Sequence, residues 1–229
     1  MRRWCTAIAS SLLVVACDVH AAPPERVVID YEVRYNGSAM ATAKHVLEHD
    51  GKTYRLVETW EGSGLLSLLG EVRRTSEGMV TPDGLRPLVY EDRRPRRDLA
   101  TARFSWKERT LIQQFRGAPR TEPIPPNAQD RLSLVFAPAF KVPGKGPLDF
   151  HVADGKGVAH YVFEIAGRER LRVPAGEFDA LHLVKRDNDG RATEWWLDAG
   201  HAYLPLRVLV VRKDGTRIDQ LAARITPAP

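Results

Sequence analysis

Cysteine is the first thing this chain is short of. Its 229 residues hold two, Cys5 and Cys17, both among the first eighteen positions. The remaining body can form no disulfide, offers no thiol nucleophile and supplies no cysteine ligands for zinc. Long apolar runs are also missing: Ala7–Ala16 is too short to span a bilayer as a permanent helix. The chain has no H-E-x-x-H pair, no G-x-S-x-G elbow and no glycine-rich strand-to-helix loop. The sequence signatures of zinc peptidases, α/β-hydrolases and nucleotide-binding folds are therefore absent, and no cofactor is implied. Charge of one sign is scarce as well. Lys plus Arg total 34 against 29 Asp plus Glu, a formal net charge of +5, too modest an excess to imply a nucleic-acid partner.

What the first residues do hold is an export pattern. Arg2 and Arg3 precede the Ala7–Ala16 run, and small residues follow. Two processing readings stand side by side. Val19-His20-Ala21 before Ala22 suits an ordinary signal peptidase, whereas Val14-Val15-Ala16-Cys17 resembles a lipobox that would leave Cys17 lipidated. Both place the mature protein outside the cytoplasm, periplasmic in the first case and membrane-anchored facing the periplasm in the second. The division expected is a signal peptide over 1–21, a linker over 22–26, a single β-rich domain over 27–226 and a frayed tail over 227–229.

Within that domain alternation dominates. In Gly167–Arg186, two alternating stretches flank Pro174-Ala175-Gly176, which reads as a hairpin because Pro presets φ and Gly supplies a positive-φ corner. Val27, Ile29, Tyr31, Val33 and Tyr35 share one face of an opening strand that turns at Asn36-Gly37. Strand, glycine-containing turn and strand then recur to Ile225. One helix is expected, over Ala128–Ala137, with Asn127 to Asp130 at its start and Pro138 ending or kinking it. Proline-rich connectors flank it, so 117–147 joins two β-rich halves. The fold class expected is all-β and mainly antiparallel: a curved sheet or partly open barrel with one short helix. Trp195 and Trp196 must point to opposite faces, one to the core and the other to a rim or partner.

Such a sheet must fill its inner face with side chains, a helix or a ligand. One expectation is an apolar cavity lined by Tyr54, Trp60, Phe104 and Trp106 and holding a lipid-like small molecule. The turn Gly62–Gly70, with Leu65, Leu66, Leu68 and Leu69 between glycines, reads as a helical turn over the sheet end. It reads alternatively as a lid for that cavity or a membrane-touching loop. Arg93, Arg94, Arg96 and Arg97 read as a solvated loop tip or as an anion and partner contact. The competing expectation is a fully packed module that docks other envelope proteins.

Catalysis has little to stand on. Ser63 lacks the strand–turn–helix context of a nucleophile. His45 and His49 are four apart, about 13 Å along a strand, too far to share an ion. His182 shares the Phe178/Val184 face and reads as a hydrogen-bonded interior residue. Glu58 and Glu61 around Trp60, and Glu91-Asp92 after Tyr90, leave open a hydrolase acting on an envelope polymer.

The strand and turn motifs just described resemble a family of exported bacterial proteins, the domain-of-unknown-function family 3108. The resemblance rests on Tyr31-Glu-Val-Arg-Tyr-Asn-Gly37, Gly84-Leu-Arg-Pro87 and Val173-Pro-Ala-Gly-Glu-Phe-Asp179. Trp195-Trp196, Tyr203-Leu-Pro205 and Lys213-Asp-Gly215 complete it, so that it covers most of Val27–Ile225. It implies an envelope location and an antiparallel, incompletely closed barrel. It carries over no catalytic residue.

Overall fold

The computed structural model describes residues 22–228. The expected signal peptide, with both candidate processing sites and Cys17, lies outside them. The chain lays down strands almost wherever its side chains alternate. β1 (Arg26–Tyr35) turns at Asn36-Gly37, both at positive φ, into β2 (Ser38–His49), and Asp50-Gly51 leads to β3 (Thr53–Gly62). A 3₁₀ turn over Gly64–Leu69 joins β3 to β4 (Val72–Thr81), and β5 (Gly84–Arg93) follows. Next come β6 (Ala100–Ser105), β7 (Thr110–Gln114), β8 (Arg120–Pro123) and β9 (Ala128–Asp130). The helix α1 (Ser133–Phe140) precedes β10 (Leu148–Ala153), β11 (Val158–Val173), β12 (Gly176–Arg186), β13 (Ala192–Asp198), β14 (Pro205–Val211) and β15 (Arg217–Ala228).

All fifteen strands belong to one sheet, ordered β8-β7-β6-β5-β4-β3-β2-β1-β15-β14-β13-β12-β11-β10-β9. Every neighbouring pair is antiparallel except β9 with β10. The first and last strands are therefore neighbours in the middle of the sheet, with Arg26 opposite Ala228. The sheet curls until its β9–β10 end meets its other arm. Gln129 donates to the Leu85 carbonyl at 2.8 Å, and Gly155 N–H donates to Gln113 Oε1 at 3.0 Å. The expected curved, partly open barrel is what forms.

The concave side holds the larger core, to which α1 adds Phe136 and Ala139, and the residue before it adds Leu132. A second core covers the opposite face of β11–β14, with Leu134, Phe163, Leu183, Trp195 and Leu197. Two covered faces explain why both tryptophans are interior. Trp195 belongs to the second core and Trp196 to the first, so neither forms an exposed rim or partner contact.

Three local expectations need correction. The helix does not begin at Ala128: Ala128–Asp130 pairs in parallel with His151–Ala153. Asp130 instead accepts the backbone N–H groups of Leu132 and Ser133 at 2.8 Å each, capping a helix that starts later. Pro138 lies inside that helix, and the helix does not end at it but runs on to Phe140. The tail does not fray as far as it is described, since Pro227 and Ala228 pair with Val27 and Arg26. The 22–26 segment is tied down as well, because Pro23 is buried and its carbonyl accepts from the His49 ring at 3.0 Å.

Candidate functional site

Register places four ionisable residues in one row on the buried face. Ile29 stands opposite His45, His45 opposite Glu58, Glu58 opposite Arg74, and Arg74 opposite Asp92. The His45 ring donates to Glu58 Oε1 at 2.9 Å. Arg74 donates to Glu58 Oε2 through one nitrogen and to Asp92 at 3.2 Å through another. Arg94 then folds back onto Asp92 at 2.6 Å. Burial raises the Glu58 carboxyl, but the His45 hydrogen bond and the Arg74 charge outweigh it and hold the group well below the usual carboxylate range. Burial likewise raises Asp92, and Arg94 and Arg74 pull it below its ordinary value. Two carboxylates held ionised by an arginine between them form a buried ion chain.

Beside this row lies a second buried group. Tyr54 and Ser76 hydroxyls are 3.0 Å apart, and Ser76 donates to Asp130 Oδ2 at 2.6 Å. Burial pushes the Asp130 carboxyl up to about 6, while Ser76 and the helix-start N–H groups pull it down only in part. Among the described residues no cluster of His, Cys, Asp and Glu is arranged to hold a metal ion.

These two networks and α1 occupy the space that the sequence suggests for a ligand. Tyr54 and Phe104 are core residues, 3% and 4% exposed. Trp60 is half-buried against the same core. Of the expected four, Tyr54 borders an open, largely polar groove of about 640 Å³ with His49 and Arg55, and Trp106 lines a separate cleft beside α1. That cleft, of about 470 Å³, lies between the β4–β5 turn, α1 and the 141–147 connector. Trp106, Pro138, Val142, Leu148 and Phe150 supply apolar walls. Trp106 is fixed by an Nε1–H bond to the Pro87 carbonyl at 2.7 Å, by stacking on Phe104, and by the Arg86 guanidinium 5.5 Å from its ring. Six polar side chains line the same space: Asp83, Arg86, Asn127, Gln129, Lys141 and Asp149. Arg86 is paired with Asp83 at 3.2 Å. Lys141 is exposed and makes no ion pair among the described residues. The Gln129 amide nitrogen is used by Leu85, and its buried Oε1 has no protein partner. Of the two carboxylates in the lining, Asp83 is held by Arg86 and Asp149 lies 2.8 Å from the His160 ring, which leaves Lys141 as the unpaired charge of an apolar trough, an arrangement open to an amphipathic anion.

The leucine turn cannot gate this cleft. It leaves β3 at one end of β4, and the cleft lies at the other, ten strand residues or about 30 Å away. The turn is a short helical element over the sheet end, as one of its readings has it, and Leu68 within it is 80% exposed. Of the arginine run, Arg93, Arg96 and Arg97 are exposed, whereas Arg94 is engaged with Asp92.

His182 donates to Glu194 at 2.9 Å and stacks on Trp196, in keeping with an interior role. The ion row is what the sequence reading passed over. Its signal was present in Glu58, which sits between Leu56 and Trp60 on the face that alternation assigns to the core. The missing piece was the pairing that brings His45, Arg74 and Asp92 beside it.

A single, mainly antiparallel sheet curled around one short helix defines a β-barrel-like protein. The family model for proteins of unknown function DUF3108 matches residues 30–221, and the chain belongs to that family. Among solved structures, the chain is similar to a β-barrel-like protein of the unknown-function domain DUF1849 from Brucella abortus. The TM-score is 0.59 at 7% identity, over 91% of this chain and all of that one, which is a likeness of fold. A protein with a YmcC-like fold from Bacteroides fragilis aligns over 92% of this chain and 100% of its own at 11% identity, with a TM-score of 0.39. No curated protein matches the chain.

Proposed function

We propose that this is an exported, non-enzymatic module that holds a small amphipathic anion of lipid-like character in the Trp106 cleft. The observation that carries this reading is the pairing of an apolar trough with Lys141, which forms no ion pair among the described residues although Asp83 and Asp149 line the same cleft, and with an unpartnered, buried Gln129 Oε1. An apolar body would lie against Trp106, Pro138 and Phe150, and its acidic end would meet Lys141. A hydroxyl or amide donor near that end would satisfy Gln129. Export rests on the Arg2-Arg3 start and the Ala7–Ala16 run. No helix among the described residues is long and apolar enough to cross a membrane.

Native mass spectrometry of the protein, purified gently from its own envelope, tests the reading directly. A reproducible adduct of lipid mass is expected, and the same spectrum reports whether Cys17 is present and acylated. With oleate as a defined probe, Trp106→Ala and Lys141→Glu should each weaken binding about tenfold, a loss equivalent to about 1.4 kcal/mol. A bare native mass, together with oleate binding indifferent to both substitutions, would overturn it.

The packed core favours a second reading, that of a docking module for other envelope components. Glu58, Arg74 and Phe136 fill the barrel interior, which leaves the outside of the sheet and its rims as the working surface.

A further inference from the structure

The rim opposite the Trp106 cleft gathers features that the ligand reading does not use. The leucine turn carries four leucines in six residues, and Leu68 is the most exposed of the large apolar side chains described. Its end is pressed against the arginine loop: a Cβ on Gly70 would come within 3.0 Å of Pro95 Cγ. The neighbouring β1–β2 tip is bound to the same turn, since Ser63 N–H donates to the Met40 carbonyl. That tip adds Tyr35 and Met40, 42% and 39% exposed. One end of the barrel thus presents apolar side chains on adjoining turns.

Charge surrounds them unevenly. On the outer face, Arg73 of β4 stands directly opposite Arg93 of β5, a like-charge pair that costs stability in an antiparallel sheet. Arg73, Arg93, Arg96 and Arg97 are all exposed, and none makes an ion pair among the described residues. The nearby acids are largely committed: Asp92 is held by Arg74 and Arg94, and Asp98 by Arg116 at 3.0 Å. Glu61, Glu71 and Glu91 remain, against four free arginines. Arg73 and Arg93 also line a shallow groove of about 310 Å³ that runs along the outer face towards Thr75 and Val89. An exposed leucine on a turn that abuts a loop of unpaired arginines has the chemistry of a surface that inserts shallowly among acyl chains while its cations meet anionic headgroups.

We infer that this rim docks reversibly onto an anionic lipid surface, with Leu68 entering the interface and Arg73, Arg93, Arg96 and Arg97 contacting phosphate-bearing headgroups. The contact is independent of the Trp106 cleft, so either can fail without the other. A soluble phosphate or an acidic protein would satisfy the arginines but leave the leucine in water, and the test separates these cases.

The test is co-sedimentation of the purified protein with phosphatidylethanolamine vesicles that do or do not contain phosphatidylglycerol. Binding is expected only with phosphatidylglycerol and should fall as salt rises. Arg93→Glu and Arg97→Glu should each weaken it about fivefold or more. Leu68→Asp should abolish it while Leu68→Met retains it, with circular dichroism and melting unchanged throughout because none of these side chains is buried. Binding that ignores Leu68→Asp but follows the arginines would mean a headgroup or phosphate contact without insertion and would overturn the inference. So would equal binding to vesicles lacking phosphatidylglycerol, or no binding at all.

Discussion

Asp130 is a carboxyl with every reason to prefer its proton. It is fully buried, yet it accepts from Ser76, Leu132 and Ser133, which ties β4, β9 and the start of α1 to one side chain. Its folded value of about 6 lies above the ordinary 3.8, so the folded state binds this proton more tightly than the unfolded state. The contribution is complete below about pH 4 and is lost as pH rises towards 6, amounting to about 3 kcal/mol. Glu58 and Asp92 act in the opposite sense at lower pH, because both are held below their ordinary values. Asp130→Asn should keep the N–H contacts and remove the titration. Urea unfolding across pH 4–7 should then show a stability loss between about pH 4 and 6 in the wild type that the variant lacks. Parallel curves would mean that Asp130 does not titrate there. Nothing in the sequence marks Asp130 for this role. A polar Asn127–Asp130 stretch reads as a helix start, and only the pairing of Ala128–Asp130 with β10, set by distant chain, makes it a strand with a cap at its end.

Hairpins were the legible elements, because each is fixed by neighbours in sequence. Asn36-Gly37, Asp50-Gly51 and Pro174-Ala175 turn where the residue types require, and Gly176 does adopt a positive φ of 140°. The parts that were not legible depend on contacts between remote segments: the parallel β9–β10 pair, the second core behind Trp195, and the seam at Gly155. At that seam a Cβ would lie 2.6 Å from the Thr101 backbone nitrogen, and φ is +81°. Gly155→Ala should therefore force the β10–β11 turn off β6, costing about 2–3 kcal/mol and lowering the melting temperature by roughly 5–10 °C. Gly190→Ala is the control. Its φ is +86° with open space around it, so only the backbone strain of about 1 kcal/mol should appear. Equal losses in the two variants would show that conformation alone, and no close approach, matters at Gly155. The candidate cleft follows the same division: Trp106 was legible as an aromatic on an apolar face, whereas Lys141 and Gln129 meet it only once the seam forms.

At the scale of the whole molecule, the ends of the described chain meet in the centre of the sheet while the sheet's own edges, β8 and β9, come from the middle of the sequence. A circular permutant with a short Gly/Ser linker from Ala228 to Ala22 and new ends at the exposed Gly144 should keep the fold and melt within a few degrees of the parent. Deleting 217–228 should instead leave β1 and β14 without their shared neighbour and yield no cooperative transition. A truncated chain that melts cooperatively would show that the two arms are independent.

The placement of β15 also sets a clock. β1 is the first strand to be made, yet one of its flanks stays open until almost the entire chain has followed. Closing so long a loop is slow compared with the local hairpins that precede it. Until β15 has been made, one edge of β1 is expected to stay unpaired, and that strand then acts as a zip fastener. A chain delivered to its compartment as an unfolded thread would have no reason to collapse early. It would become resistant to proteases abruptly, when that final strand slots in, and not by degrees.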